Sequence, residues 1–140
     1  MPLDSLPVEH LGTLSGKVPR ETVVRTGGPA GNRAVCTVSE IRLEGPRISA
    51  TMPEGVAGAD WVALRSDGTA SLDVRFHLRT DDGADIYVTY LGYNVGGVLK
   101  VAPRFETGDE RYAWLNSAFT VGIGAPAPDG EHLSYELYII

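Results

Sequence analysis

The sequence contains a single cysteine, Cys36, which excludes an internal disulfide and a cysteine-based metal framework. No apolar run approaches the ~18 residues that a membrane-spanning helix needs. Its 12 lysines and arginines are outnumbered by 18 aspartates and glutamates, giving a net charge of -6. Nucleic acids and anionic membranes attract basic surfaces, so we expect neither as a partner. The opening MPLDSLPVEH lacks the basic and apolar parts of a signal peptide, which predicts a cytoplasmic protein.

Recognised metal, cofactor and nucleophile motifs are also missing. The histidines His10, His77 and His132 are isolated, and none has the spacing of a zinc site. The chain has no GxSxG, Walker A or GxGxxG sequence. We therefore expect no metal and no cofactor, so that any reaction would rely on side chains alone.

Hairpin turns are the strongest signal that is present. Three Asp-Gly pairs occur, at Asp67-Gly68, Asp82-Gly83 and Asp129-Gly130, and this dipeptide suits two-residue turns whose central residues need positive φ. The first two pairs divide residues 59–93 into three strand-like runs. These runs predict a three-stranded antiparallel meander.

The rest of the chain adds shorter strands and no long helix. Strands are predicted at 8–18, 21–27, 32–45, 47–52, 98–107, 112–124 and 132–140, with one helical turn at 108–112. Such spacing predicts an all-β fold, a single closed antiparallel up-and-down barrel of about eight to ten strands. We expect one domain over 1–140, with its core at about 8–139. A barrel of about eight strands is wide enough to hold one small ligand.

The strand within 69–80 has two contrasting faces. Leu72, Val74, Phe76 and Leu78 share one face, and Asp73, Arg75 and His77 share the other. If the polar row faces the lumen, Asp73 is a base or ligand anchor and Arg75 stabilises a developing negative charge. The aliphatic row would then need cover, most simply in a homo-oligomer. If the aliphatic row faces inward, Asp73 and Arg75 form a surface ion pair.

A second unusual stretch is PRFETGDERYAWLNSAFTVGIG, residues 103–124. As a strand it places Tyr112, Trp114 and Asn116 on one face, either as one wall of a pocket or as core packing. Glu106 is either an acid or base at the barrel mouth or, as is more usual for a glutamate there, a solvated side chain or the ion-pair partner of Arg104 or Arg111.

LDVRFHLRTDDGADIY at 72–87 and PRFETGDERYAWLN at 103–116 resemble the DUF3237 family, also called UPF0311. The resemblance implies a closed antiparallel barrel similar to those of allene oxide cyclase and dirigent proteins, with isomerase or cyclase activity in secondary metabolism. The polar row of 72–78 belongs to the family pattern, which favours its inward orientation. The connection at 92–101 is shorter than the family's usual loop, and we expect it to shape the barrel mouth.

These observations favour a cofactor-free isomerase, cyclase or lyase that acts by acid/base chemistry on an aromatic or polyketide-like metabolite in the lumen. The candidate catalytic residues are Asp73, Arg75 and Glu106. The candidate substrate-binding residues are Arg33, Asp60, Trp61, Tyr112, Trp114 and Asn116. The alternatives are a non-catalytic barrel that binds a hydrophobic ligand, and a structural oligomer whose barrel is filled.

Overall fold

Antiparallel strands account for most of the structure, a computed structural model that describes residues 1–20, 24–29 and 31–140. The strands are β1 (Glu9–Lys17), β2 (Val24–Arg25), β3 (Asn32–Thr37), β4 (Ser39–Glu44), β5 (Ser49–Thr51), β6 (Ala59–Leu64), β7 (Ala70–Thr80), β8 (Asp85–Val95), β9 (Val98–Glu106), β10 (Thr120–Pro126) and β11 (His132–Ile139). A 3₁₀ helix covers Glu110–Ser117. Residues 21–23 of the strand predicted at 21–27 lie outside the described residues. Among those described, no helix is both long and apolar enough to cross a membrane.

Eight of these strands close into a ring. β4, β5, β7, β8, β9, β10, β11 and β1 follow one another around it, and β1 pairs with β4 to complete the circle. With β2, β3 and β6 set aside, the ring strands occur in the order in which they follow one another along the chain, and β1 meets β11, so the predicted closed up-and-down barrel is confirmed. β6 pairs with the first part of β7, and β3 and then β2 extend the sheet beyond β6.

The Asp-Gly pairs lie in the connections that the sequence predicts. They join β6 to β7, β7 to β8 and β10 to β11. Gly83 has a φ of 95°, a left-handed conformation that glycine adopts without steric cost. The connection predicted to shape the mouth is shorter still, a turn of Gly96 and Gly97 between β8 and β9.

The aliphatic row of β7 faces the interior. Leu72, Val74, Phe76 and Leu78 are at most 8% exposed, whereas the Asp73 and Arg75 side chains are 43% and 53% exposed. The prediction that the polar row faces the lumen is therefore wrong. Burying two charged groups costs several kcal/mol per ion, and an Arg–Asp contact at 3.6 Å would not offset that cost.

One end of the barrel is closed by the 3₁₀ helix. Its Leu115 is completely buried in the core, and Tyr112 and Trp114 pack partly against that core. The strand predicted at 112–124 is thus wrong over residues 112–117, which belong to the helix. Asp109 caps the helix by accepting a hydrogen bond from the backbone N–H of Arg111, and a 3₁₀ helix repeats every three residues. The alternation at 112, 114 and 116 therefore does not define one face.

Candidate active site in the barrel lumen

A cavity of about 210 Å³ occupies the lumen towards the other end of the barrel. That end is formed by the turns after β6, β8 and β10 and by the end of β1. Most of the cavity wall is aliphatic or aromatic, supplied by Leu14, Val38, Ile41, Val62, Leu72, Phe76, Leu99 and Leu133. Asn94 and Leu99 flank the Gly96–Gly97 turn and line the cavity, so this connection does shape the mouth.

Asp60 is the carboxylate inside this apolar cavity. It lies on β6, where alternation turns Asp60 and Val62 inward and Trp61 outward, and it is only 9% exposed. Its Oδ1 accepts a hydrogen bond from the backbone N–H of Asp73 at 3.1 Å. Burial raises the pKa of Asp60 to about 6, although the Asp73 N–H bond opposes the shift. A carboxyl group with that pKa can give and take a proton near neutral pH.

Two tyrosines accompany Asp60 in the lumen. The rings of Tyr90 on β8 and Tyr135 on β11 meet edge to face, with centroids 5.7 Å apart. Burial raises the pKa of Tyr135 to about 12 and that of Tyr90 well above its ordinary value, and the charge of Asp60 adds to both shifts. Both hydroxyls therefore stay protonated at neutral pH. A hydrogen bond between them raises the pKa of Tyr90 and lowers that of Tyr135, so Tyr90 is the donor and the Tyr135 proton remains for a ligand in the cavity.

An imidazole stands at the rim of the cavity. Nδ1 of His132 lies 2.5 Å from Oδ2 of Asp129, and its Nε2 lies 3.7 Å from Oε2 of Glu40. The backbone N–H groups of His132 and Glu131, together with the imidazole, hold the pKa of Asp129 well below its usual range. Charged groups thus gather at the rim, whereas Asp60 is the carboxylate within the lumen.

The residues predicted to form one site are divided among three places. Asp60 alone lines the lumen cavity. Arg33, Trp61 and Asp73 line a groove on the outer wall, where Arg75 lies over the Trp61 ring at 4.9 Å. Their predicted inward orientation is wrong because neighbouring residues of a strand point to opposite faces, and the aliphatic neighbours fill the core.

The other four predicted residues lie at the closed end. Tyr112 donates a hydrogen bond to Asp82 at 2.9 Å, and Trp114 is covered by the guanidinium of Arg47 at 3.8 Å. Asn116 bonds both backbone groups of Thr107, accepting at 2.8 Å and donating at 3.0 Å. These contacts close the barrel, so the predicted pocket wall is wrong.

Glu106 ends β9 at this closed end and is exposed, so its predicted place at the mouth is also wrong. Arg104 lies over Phe119, and Arg111 pairs with Asp109 and Asp82. Among the described residues, neither arginine is therefore the partner of Glu106, and its exposure agrees with the other alternative, a solvated side chain.

Tyr90, Tyr135 and His132 are absent from the sequence-based candidates. Period-2 alternation does predict that Tyr90 points inward, because it continues the inward series of Ile86 and Val88. That signal is the same for a ligand-facing tyrosine and for a core tyrosine. Within the described ranges, no three His, Cys, Asp or Glu side chains cluster closely enough to hold a metal ion.

The sequence matches the profile of a known protein family. The profile of DUF3237, described as a protein of unknown function, matches residues 7–99 and 95–140. A UPF0311 protein of Rhodopseudomonas palustris is 31% identical over 90 residues, which cover 51% of this chain and 59% of that protein. The hydroalkoxylation enzyme phnH of Penicillium herquei is 30% identical over 90 residues, covering 64% of this chain and 56% of phnH. These matches therefore span less than two thirds of either relative.

Solved structures match over almost the whole chain. A Rhodopseudomonas palustris protein of unknown function superposes with a TM-score of 0.87 at 23% identity, covering 98% of this chain and 99% of that one. A β-barrel-like protein of Acinetobacter baumannii gives 0.82 at 26% identity, covering 99% of both chains. An enzyme of Penicillium herquei gives 0.70 at 26% identity, covering 99% of this chain and 100% of that one. These structures share the fold, and the profile match over residues 7–99 and 95–140 shows that the chain belongs to the DUF3237 family, as its two sequence motifs predict.

Proposed function

We propose that the protein is a small-molecule enzyme whose lumen catalyses cofactor-free addition of a hydroxyl group across a carbon–carbon double bond of an aromatic or polyketide-like substrate. The observation that carries the proposal is Asp60, a buried carboxyl group with a pKa of about 6 in a cavity whose wall is mainly apolar. The likeness to a hydroalkoxylation enzyme supports this reaction among those that a lone acid/base could perform.

The reaction balances with one carboxyl group. When the hydroxyl and the double bond belong to the same molecule, addition forms a C–O bond and gives a cyclic ether that is an isomer of the substrate. Protonated Asp60 gives its proton to one alkene carbon, and the substrate oxygen bonds to the other. The carboxylate of Asp60 then takes the proton that leaves this oxygen. Because the proton is returned, neither an oxidant nor a cofactor is consumed.

The surroundings of Asp60 suit this chemistry. Its pKa near the working pH leaves both protonation states accessible, as general acid–base catalysis requires. The neutral hydroxyl of Tyr135 can hold the substrate oxygen beside the alkene, and the carboxylate left when Asp60 gives up its proton stabilises the positive charge that develops on the substrate. The apolar wall excludes water, which would otherwise compete with the substrate hydroxyl for the activated alkene.

The cavity sets a scale for the substrate. An apolar cavity of about 150 Å³ is large enough to bind benzene. The lumen, at about 210 Å³, therefore accommodates one aromatic ring with a short substituent. An alkenyl phenol combines the ring, the hydroxyl group and the double bond that the proposal requires.

The second candidate function is the binding of a hydrophobic ligand without catalysis. The mainly aliphatic wall of the cavity favours it, because pockets that bind small molecules are mostly apolar with a few polar groups. It differs from the enzymatic proposal in one respect, since a binding barrel has no need of an ionisable Asp60.

The experiment incubates the purified chain with a panel of phenols that carry an allyl or prenyl group ortho to the hydroxyl. We expect a product of unchanged mass and altered chromatographic retention, formed without added cofactor. Asp60→Asn should lower the rate by about 10²–10⁴-fold, the usual contribution of a general acid or base. Asp73→Asn, which changes the exposed neighbour, should retain most of the rate.

Two outcomes would decide against this assignment. Tight phenol binding by the wild type without any isomer would support the binding barrel. An Asp73→Asn variant that loses the rate while Asp60→Asn keeps it would return catalysis to the outer wall. Circular dichroism spectra of both variants establish that each is folded.

A further inference from the structure

The outer wall of the barrel has two halves of different character. On β1, β4 and β11 the outward side chains are polar and paired. Glu136 accepts hydrogen bonds from Thr13 at 2.8 Å and contacts His10 at 2.6 Å, and Arg42 binds Asp81 through both Nη atoms. Such a surface is already satisfied by its own contacts and by solvent.

The other half, centred on β8, is apolar and exposed. We call it the β8 face, and it consists of Trp61, Leu91, Tyr93, Val95, Val98 and Ile123. These side chains are between 46% and 66% exposed, with Leu91 the most exposed. Four of the six line one groove, and a second groove shares Tyr93 and adds the two valines. The β8 face is therefore one continuous surface.

Its area exceeds what a monomer usually leaves exposed. Aromatic side chains bury 150–250 Å² each, so at these exposures the β8 face and the adjoining Tyr87 and Phe119 present on the order of 800 Å². The largest apolar patch of a typical monomer is about 300–600 Å². A standard protein–protein interface buries about 800 Å² on each partner.

The position of β8 determines how a partner can bind. β8 pairs along its length with β7 on one side and β9 on the other, so no further strand can be added there. A partner must therefore pack face to face, with side chains interdigitating as they do between two stacked sheets. The most exposed residue, Leu91, lies opposite Ala102 and Asp73 in the two pairings, near the middle of the surface.

The charges at the edge of the β8 face suit a second copy of the same surface. Arg33, Arg75, Lys100 and Arg104 lie around it together with Asp73, so both signs are present at its border. Arg75 lies over Trp61 and Arg104 over Phe119, so both guanidinium groups pack on aromatic rings of this surface, and Asp73 is the charged side chain next to Leu91. An apolar centre with a mixed polar rim is the usual anatomy of an interface.

We propose that the β8 face is the interface of a homodimer, in which a second copy of this chain packs its own β8 face against the first. A two-fold axis brings identical patches together, and a self-complementary apolar centre is the requirement for that symmetry. The sequence predicts an oligomer for another reason, the need to cover the Leu72 row, and that reason fails because this row faces the core. The dimer follows from the β8 face alone and does not depend on the reaction in the lumen.

Sedimentation velocity across a dilution series tests the proposal. The wild type should sediment with twice the 15.0 kDa mass of the chain. Leu91→Glu should sediment as a folded monomer, because two carboxylates would then face each other at the apolar centre. Val8→Glu is the matched control and should remain a dimer. Val8 is also apolar and 51% exposed, and it precedes β1, which lies opposite β8 in the ring.

Ile123→Glu repeats the test on β10 and should also give a monomer. A wild type that is monomeric at every concentration overturns the proposal, whether or not it recruits another protein. A dimer that survives both Leu91→Glu and Ile123→Glu overturns the assignment to this face. Unchanged circular dichroism spectra and melting temperatures establish that the variants retain the fold.

Discussion

The two ends of the barrel use the same residue types for opposite purposes. At the closed end, hydrogen bonds from Thr80 and Tyr112 lower the pKa of Asp82, and the carboxylate joins the β7–β8 turn to the 3₁₀ helix. In the lumen, burial raises the pKa of Asp60 to about 6, and Tyr90 and Tyr135 stand beside it. The carboxylate at the closed end is satisfied by its neighbours, whereas the one in the lumen keeps a proton available for a ligand.

The residues that identify the family are not the residues suited to catalysis. Both family motifs include residues of the closed end, TDDG at 80–83 in the first and YAWLN at 112–116 in the second. Their hydrogen bonds seal the barrel, as Asn116 does by bonding both backbone groups of Thr107. The groups suited to proton transfer belong to strands of ordinary appearance. A specific motif thus identifies this fold more securely than it identifies the catalytic residues.

The largest expected effect on stability is at the closed end. Leu115→Ala should lower the free energy of unfolding by about 2–5 kcal/mol, because it removes a completely buried side chain and leaves a cavity. Leu133→Ala at the lumen should cost less, since Leu133 is only partly buried and already borders open space. Urea denaturation of both variants measures the difference. Equal losses would remove the contrast between a packed end and an open end.

The next effect concerns the pH dependence of stability. The folded pKa of Asp60 is raised, so the unfolded chain releases this proton first, and stability falls as pH rises from about 4 to about 6. Above pH 6 the ionised, buried Asp60 costs about 2–3 kcal/mol, at about 1.4 kcal/mol per pKa unit. Asp60→Asn should therefore match the wild type near pH 4 and exceed its stability by about that amount at pH 7.5.

Chemical denaturation of both proteins at the two pH values measures this difference. Carboxylates whose pKa is lowered, such as Asp82, act with the opposite sign and lose their contribution as pH falls. They are common to wild type and variant, so the difference isolates Asp60. If Asp60→Asn were instead less stable than the wild type at pH 7.5, Asp60 would be a structural residue like Asp82.

A pair of matched substitutions separates the two ends by function. Tyr135→Phe should lower turnover of an alkenyl phenol by about 10–100-fold, because the hydroxyl holds the substrate oxygen, and the loss of its bond with Tyr90 should lower the melting temperature by a few degrees. Tyr112→Phe should lower the melting temperature by a similar amount but spare turnover, because its hydroxyl bonds Asp82 at the closed end. Each variant is measured in both assays. An equal loss of turnover in the two variants would contradict the division of roles.

The smallest effect is expected at the outer surface of the closed end. Arg47→Ala removes the guanidinium over Trp114 and should cost about 0.5–1 kcal/mol, the value of an exposed cation–π contact. Arg47→Lys keeps the charge without the planar stacking, so its free energy of unfolding should lie between those of the wild type and Arg47→Ala. Urea denaturation, followed by tryptophan fluorescence, measures both. A cost as large as that of Leu115→Ala would show that this surface contact stabilises the closed end as strongly as its buried core does.

Local patterns in the sequence predict the fold well. Period-2 alternation and Asp-Gly turns depend on nearest neighbours, so they locate the meander and the barrel. The inward face of β7 does not follow from alternation, which is identical for either orientation. The burial cost of Asp73 and Arg75 settles it, because the aliphatic row supplies the core. The helix at Glu110–Ser117 is predicted only at its start, by the turn at 108–112, because from Tyr112 onward its apolar spacing resembles that of a strand.

The site is less predictable than the fold. Asp60 and Tyr90 lie 30 residues apart, on β6 and β8, which pair with opposite edges of β7, and their meeting depends on the way the sheet curls. The local sequence does not distinguish Tyr135 from a tyrosine that only fills the core. In either case the residue would share a strand face with Leu133 and Leu137. The raised pKa of Asp60 likewise depends on burial by residues from several strands.

The central claim is that the lumen keeps Asp60 as an acid that titrates close to neutral pH. The most direct test is an NMR titration of the Asp60 side-chain carboxyl carbon in the wild-type protein, with the resonance assigned by its absence from Asp60→Asn. The account predicts a midpoint at about pH 6. A midpoint near the ordinary aspartate value of about 3.9 would show a solvated carboxylate and contradict the proposed acid/base role.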